Sequence, residues 1–245
     1  MKKLVAYITS GYPEKSFSID LALALGDSGV DTLELGVPFS DPVADGPLIE
    51  RASHRALDFG FKFERILDIS KEVAPKVDTL WMGYFNSFYQ QDMSKLIPLA
   101  REIGVNGLII PDLPYEEALA YNELFESNNM SNISFVAPTD SEQRIKEIVK
   151  DSKKFIYMVA YTGITGSGNA EDLQPFLSSI RKYTQTPVYV GFGVNQKTAK
   201  DKVKGADGVI VGSSFIDVLL KENINYSQKI KECSELAKII KNEIN

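Results

Sequence analysis

Three stretches of the chain align with one another: Gly29-Val30-Asp31-Thr32-Leu33-Glu34-Leu35-Gly36, Gly104-Val105-Asn106-Gly107-Leu108-Ile109-Ile110-Pro111 and Gly205-Ala206-Asp207-Gly208-Val209-Ile210-Val211-Gly212. Each reads as a helix stop followed by a strand. The leading glycine suits the left-handed residue that ends a helix, and the apolar triplet suits a strand buried on both faces, as in parallel sheets covered by helices. Short apolar runs rich in β-branched residues recur at Leu4 to Ile8, Thr32 to Leu35, Thr79 to Met82, Gly107 to Ile110, Ile133 to Ala137, Phe155 to Ala160, Val188 to Val190 and Val209 to Val211. Amphipathic stretches follow them, among them Ser18 to Gly26, Leu48 to Phe59, Ser94 to Ile103, Glu116 to Glu126 and Glu142 to Lys150. Eight such units predict an α/β fold, a closed (β/α)8 TIM barrel. With 245 residues and no Pro, Gly or Ser-rich linker, residues 1–245 read as a single domain. An open doubly wound sheet is the second choice, but its Gly-x-Gly-x-x-Gly opening is absent after the first strand.

Composition narrows the function. Hydrophobic residues at 44% and charged residues at 24% describe a globular chain with a sizeable core. Lys plus Arg number 27 against 33 Asp plus Glu, a formal charge of −6, and no long basic run offers a phosphodiester footprint, so nucleic acid is not the expected partner. The lone Cys233 and lone His54 cannot form an intrachain disulfide or the usual zinc sites. The opening segment reaches Tyr7 and Thr9 too soon for a signal-peptide core, and no apolar run approaches ~18 residues. The expectation is a cytoplasmic protein without a membrane span.

Glu34 breaks the repeat, standing where the sister segments carry Ile109 and Ile210. An ionised carboxylate in a dry interior costs several kcal/mol, so Glu34 must be protonated, paired or facing a polar cavity. Near the carboxyl end of a barrel strand that cavity is the active site; a structural ion pair is the alternative. The following loop, Gly36 to Pro47, holds prolines at 38, 42 and 47 and reads as rigid. Pro47 suits the first helical position and Gly46 the N-cap, which leaves Asp45 outside the helix with no capping role. Glu34 and Asp45 could flank a planar substrate and share acid and base steps. Asp41 is the rival for the second role, with an Asx-turn before Pro42 as its structural explanation.

Glycine-bearing turns follow the last strands. Gly191-Phe192-Gly193 and Gly212-Ser213-Ser214 lie where this fold usually binds phosphate, with backbone amides and a helix N-terminus as the ligands. The stretch Thr162 to Ala170, dense in Gly, Ser and Thr, reads as a lid. A Schiff-base lysine is not expected, because Lys76 and Lys154 precede their strands and belong at the opposite end of the barrel. His54 lies between Glu50 and Asp58 at helical spacing, which describes a solvated helix face rather than a metal site. Gly166-Ser167-Gly168 lacks the strand-to-helix context of a nucleophile elbow.

The stretch Glu34 to Pro47, ELGVPFSDPVADGP, resembles the signature of the tryptophan synthase alpha subunit family. Ala6 to Pro13, Met82 to Asn86, Ile109 to Pro114, Gly163 to Gly168, Gly191 to Gly193 and Val211 to Ser213 fall in that family's order, so the resemblance spans nearly the whole chain. It implies retro-aldol cleavage of indole-3-glycerol phosphate to indole and glyceraldehyde 3-phosphate, with no cofactor or metal in this subunit. By motif, Glu34 would be the general acid and base, and Asp45 would accept from the indole N–H and stabilise charge on that nitrogen. Tyr157 would be an active-site tyrosine. Tyr7 stands where phenylalanine is common, and Tyr84 keeps an aromatic over the indole pocket. Thr165 would close the lid onto Asp45, while Gly166, Gly193, Gly212 and Ser213 would hold the phosphate. The expected partner is a beta subunit carrying pyridoxal phosphate (PLP), in a heterotetramer, with Pro38 and Asp41 on the loop that faces it.

Three departures stand out. The first strand begins at Leu4, without the usual preceding helix; Tyr12 replaces an acidic residue; Tyr161 stands where arginine is frequent. They bear on lid closure and partner coupling. Two other functions fit the same barrel: a sugar-phosphate isomerase or epimerase, and an activating partner subunit whose carboxylates are structural.

Overall fold

The computed structural model describes residues 1–159 and 173–245. Its strands are β1 (Lys3–Thr9), β2 (Thr32–Gly36), β3 (Asp78–Met82), β4 (Val105–Ile109), β5 (Ser131–Asn132), β6 (Ser134–Val136), β7 (Ile156–Val159), β8 (Val188–Gly191) and β9 (Gly208–Val211). Neighbours pair in parallel in the order β5-β4-β3-β2-β1-β9-β8-β7-β6. The two ends of that order, β5 and β6, are separated in sequence only by Ile133, so the chain itself joins them and the sheet curls into a barrel. Together they fill the place of the fifth expected strand. Ile133 interrupts the ladder yet still donates its N–H to the Leu108 carbonyl at 2.9 Å.

The repeat has a structural meaning at every position. Gly29, Gly104 and Gly205 have φ of 96°, 103° and 75°, the left-handed stop that frees the chain to enter a strand. Two residues on, the polar side chain ties the foot of its strand to the foot of the strand before it. Asp31 accepts from the Leu4 N–H and Asp207 from the Val188 N–H, both at 2.8 Å, and the Asn106 amide donates to Asp78 at 2.7 Å.

Alternation along the strands sorts side chains into two cores. Val5, Leu80, Ile109, Ile133, Phe155, Tyr189 and Ile210 fill the barrel interior. Leu4, Ile8, Leu33, Leu35, Trp81, Leu108, Val190 and Val209 face the helices outside. Each such side chain contributes roughly 1.5–3 kcal/mol of burial. Trp81, wholly buried, satisfies its one donor on Ser70 Oγ at 2.8 Å.

Most helices match their sequence pattern, including Pro47–Asp58, Met93–Ile103 and Glu142–Lys150. The stretch expected as one helix from Glu116 to Glu126 is instead Tyr115–Ala118 and Asn122–Ser127, joined by a 3-10 turn at Leu119–Tyr121. That turn brings the Tyr121 ring to 5.6 Å from Phe85. The C-terminal helix, Tyr226–Glu243, reaches the barrel's amino end, where Lys241 Nζ donates to the Lys2 carbonyl at 3.0 Å. Among the described residues no helix is long and apolar enough to cross a membrane.

Candidate active site

Parity along β2 decides where Glu34 points. Thr32, Glu34 and Gly36 face the barrel interior in register with Asp78, Leu80 and Met82 of β3, and Glu34 is also paired with Tyr7 of β1. Glu34 is 2% exposed, and its Oε1 has no hydrogen-bond partner among the described residues. Burial pushes its carboxyl up to about 8, and the nearby Asp45 charge adds to the rise. A carboxyl in that state holds a proton at neutral pH. Ile109 and Ile210, its counterparts in the repeat, line the same cavity as Glu34. The carboxylate thus stands where the sister segments place an apolar side chain.

Asp45 reaches that cavity from the loop after β2. The loop is pinned along its length: Val37 N–H to the Met82 carbonyl at 2.7 Å, Phe39 N–H to Ser53 Oγ at 2.7 Å, Asp45 N–H to the Pro42 carbonyl at 3.0 Å. Gly46 caps the helix Pro47–Asp58 with no side-chain cap bond, so Asp45 is free of capping duty. Burial raises the Asp45 carboxyl to about 6, against a hydrogen bond from the Tyr84 hydroxyl that lowers it, while Glu50 pushes it up. Burial and both carboxylates also hold Tyr157 well above the ordinary phenol range, so it stays a neutral donor.

The far end of the cavity is built from backbone. Phe192 and Gly193 both adopt left-handed conformations, φ 72° and 67°, turning the loop after β8 so that Gly193, Val194 and Asn195 line the cavity. Asn195 and Thr198 lock this turn: Thr198 Oγ1 donates to the Gly193 carbonyl at 2.7 Å, and Asn195 Oδ1 accepts from the Lys197 N–H at 2.8 Å. Opposite, Gly212 caps the helix Ser213–Leu220. Phe215 and Ile216 are the first residues to donate back to Gly212, at 3.0 and 3.1 Å, which leaves the Ser213 and Ser214 amides without a helical acceptor. Such amides suit an anion.

The cavity, about 230 Å³, brings together Glu34, Asp45, Tyr157, Tyr7, Gly193, Gly212 and Ser213. Tyr84 is a correction: it is 2% exposed and is not on the cavity wall. Its ring stacks on Phe39 at 5.1 Å and its hydroxyl accepts from the Ala44 N–H at 2.9 Å, so it holds the Asp45 loop from behind. Thr165, Gly166, Tyr161 and the rest of the expected lid lie outside the described residues. Asp41 is exposed and off the cavity, its Oδ2 accepting from Ser40 Oγ at 2.5 Å. His54 is exposed, yet its Nε2 lies 2.8 Å from the Ser40 carbonyl, a loop contact the helical spacing did not suggest. Lys154 sits at the opposite end, paired with Asp78 at 2.8 Å. Sequence reasoning missed the apolar wall of Met82, Pro111, Phe135 and Ile49. Inward parity near strand ends marks Met82 and Phe135, but Ile49 comes from a helix and carries no such signal.

Comparison with known proteins places the chain in one family. The sequence model of one family, tryptophan synthase alpha chain, matches residues 1–245. The tryptophan synthase alpha chain of Wolinella succinogenes is 52% identical over 246 residues, covering 100% of this chain and 96% of that protein. That of Alkaliphilus metalliredigens is 41% identical over 221 residues, covering 88% and 83%. Among solved structures, tryptophan synthase subunit alpha from Campylobacter jejuni superimposes with a TM-score of 0.87 at 35% identity, covering 96% of this chain and 95% of that one. An aminoacrylate-bound tryptophan synthase from M. tuberculosis gives 0.88 at 27% identity, covering 100% and 94%.

Proposed function

The chain belongs to the tryptophan synthase alpha chain family, and we propose that it cleaves indole-3-glycerol phosphate to indole and glyceraldehyde 3-phosphate with the residues of this one cavity. The observation that carries the reading is a buried, proton-holding carboxyl at Glu34 that shares one cavity with Asp45 and with backbone amides suited to a phosphate.

The chemistry follows from those positions. Glu34, protonated at neutral pH, delivers its proton to ring carbon C3, and the cation spreads to the ring nitrogen as an indolenine. Asp45, held by Tyr84, accepts from the ring N–H and stabilises that charge. Glu34, now a carboxylate, takes the proton from the hydroxyl on the carbon attached to the ring. The oxygen pair forms the aldehyde carbonyl, the C–C bond pair returns to the ring as the C2–C3 double bond, and the iminium pair returns to nitrogen. One carboxyl gives and recovers one proton, so the cycle needs no cofactor in this subunit.

The indole would pass to a PLP-bearing beta subunit in a cytoplasmic heterotetramer, with residues 1–245 acting as one domain. Val43, 85% exposed on the loop that carries Asp45, supports a partner contact coupled to the site. The test is indole release from the purified chain, followed by absorbance, alone and with a beta subunit added. Slow release that accelerates with the partner supports the reading; no indole under either condition overturns it.

A further inference from the structure

Tyr7 runs between the two ends of the cavity. Its root lies at the anion end: a Cβ placed on Gly212 would sit 3.5 Å from Tyr7 Cβ and 3.6 Å from its Cδ1. Its tip lies at the carboxylate end: a Cβ placed on Gly36 would overlap the Tyr7 hydroxyl and ring edge, so the ring leans across β2 only because Gly36 has no side chain. Gly36 is two residues beyond Glu34 on the same inward face, and Glu34 is the register partner of Tyr7. The tyrosine therefore borders the path between the phosphate cradle and the proton-holding carboxyl. A phenylalanine would give the same ring without the oxygen.

We propose that the Tyr7 hydroxyl, held over Gly36, is a substrate-orienting group that hydrogen-bonds the hydroxyl-bearing carbon chain between the ring and the phosphate and aligns it for proton transfer to Glu34. This rests on the reaction proposed above. The phenol serves as a donor and not as a base, since burial and the Asp45 charge keep it far above its ordinary range.

The test uses two ligands that differ only in those hydroxyls: indole-3-glycerol phosphate and 3-(indol-3-yl)propyl phosphate. Binding is measured by titration calorimetry on Glu34→Gln, which blocks turnover, with and without Tyr7→Phe. The expected result is about tenfold weaker binding of the hydroxylated ligand, the size of one hydrogen bond, and a change within about twofold for the propyl analogue. With Glu34 intact, Tyr7→Phe should lower kcat/KM by a similar factor. Gly36→Ala, which displaces the hydroxyl without removing it, should give the same selective loss. Because both ligands are titrated on the same folded molecules, the ratio is insensitive to a lowered folded fraction. Equal weakening of the two ligands, or no change in either, overturns the proposal. If the unmutated chain releases indole and only the Tyr7→Phe selectivity is missing, the reaction stands and this role fails; if it binds neither ligand, both fall.

Discussion

Glu34 and Asp78 stand on neighbouring strands and face the same barrel interior, two residues apart in register, yet their carboxyls are driven in opposite directions. Asp78, at the floor, receives Thr32 Oγ1 at 2.7 Å, the Asn106 amide at 2.7 Å and Lys154 Nζ at 2.8 Å. Burial alone would raise it, but Lys154 leads the donors that bring it below the ordinary carboxylate range. Glu34 is buried with its Oε1 lacking a partner among the described residues and a like charge nearby, and its carboxyl is pushed up to about 8. The floor carboxylate is thus satisfied and structural, while the one near the mouth is left unsatisfied and free to exchange a proton. The same residue chemistry becomes a fastener or a catalyst according to what the neighbouring strands present to it.

The sharpest way to break this contrast is Glu34→Gln. Indole formation should fall by on the order of 10³-fold, the scale of a lost general acid and base, with the fold retained by circular dichroism. Survival of cleavage would remove Glu34 from the proton transfers.

The same substitution should change stability with a definite sign. The folded state holds the Glu34 proton up to about 8 against an ordinary 4.5, so stability of the native chain declines as pH rises between those values. Urea unfolding at pH 9 should show Glu34→Gln more stable by on the order of a few kcal/mol, a gap that closes below pH 4. A pH-independent difference would mean the carboxyl is not held neutral.

At the floor the effects should invert. Lys154→Met removes the chief partner of Asp78, and with the two side chains 24% and 28% exposed the cost should be about 2 kcal/mol of unfolding free energy, below that of a fully buried pair. Indole formation should stay within about twofold. Asp78's contribution is present above its ordinary value and lost as pH falls through its lowered one, so acid should narrow the gap between variant and parent.

The gentlest test is the pH profile of kcat/KM. It needs Asp45 ionised and Glu34 protonated, so limbs are expected near the values of about 6 and about 8, each falling about tenfold per unit beyond. Measured with and without Tyr84→Phe, the acid limb should move to higher pH, because the Tyr84 hydroxyl lowers the Asp45 carboxyl. A limb that stays fixed would detach Tyr84 from Asp45.

Much of this was legible along the chain because short-range rules govern it. The repeat glycines marked helix stops, and all three are left-handed. Pro47 and Gly46 marked a helix start that freed Asp45, and the misplaced Glu34 marked the cavity. The break at Ile133 was not legible, since an apolar run reads the same whether or not its ladder is interrupted. Nor was Tyr84's place behind Asp45, which depends on the Ala44 N–H and the Phe39 ring across a loop.

The sequence by itself determined the order of strands and helices, which faces are apolar, and which acid sits out of place, because periodicity and backbone preference are local. Only the tertiary structure decided that Glu34 Oε1 has no partner among the described residues while Asp78 has several, and that Tyr7 can lean over Gly36. Proton affinity and side-chain reach are set by what adjacent strands bring within a few ångströms, and those neighbours are distant in sequence.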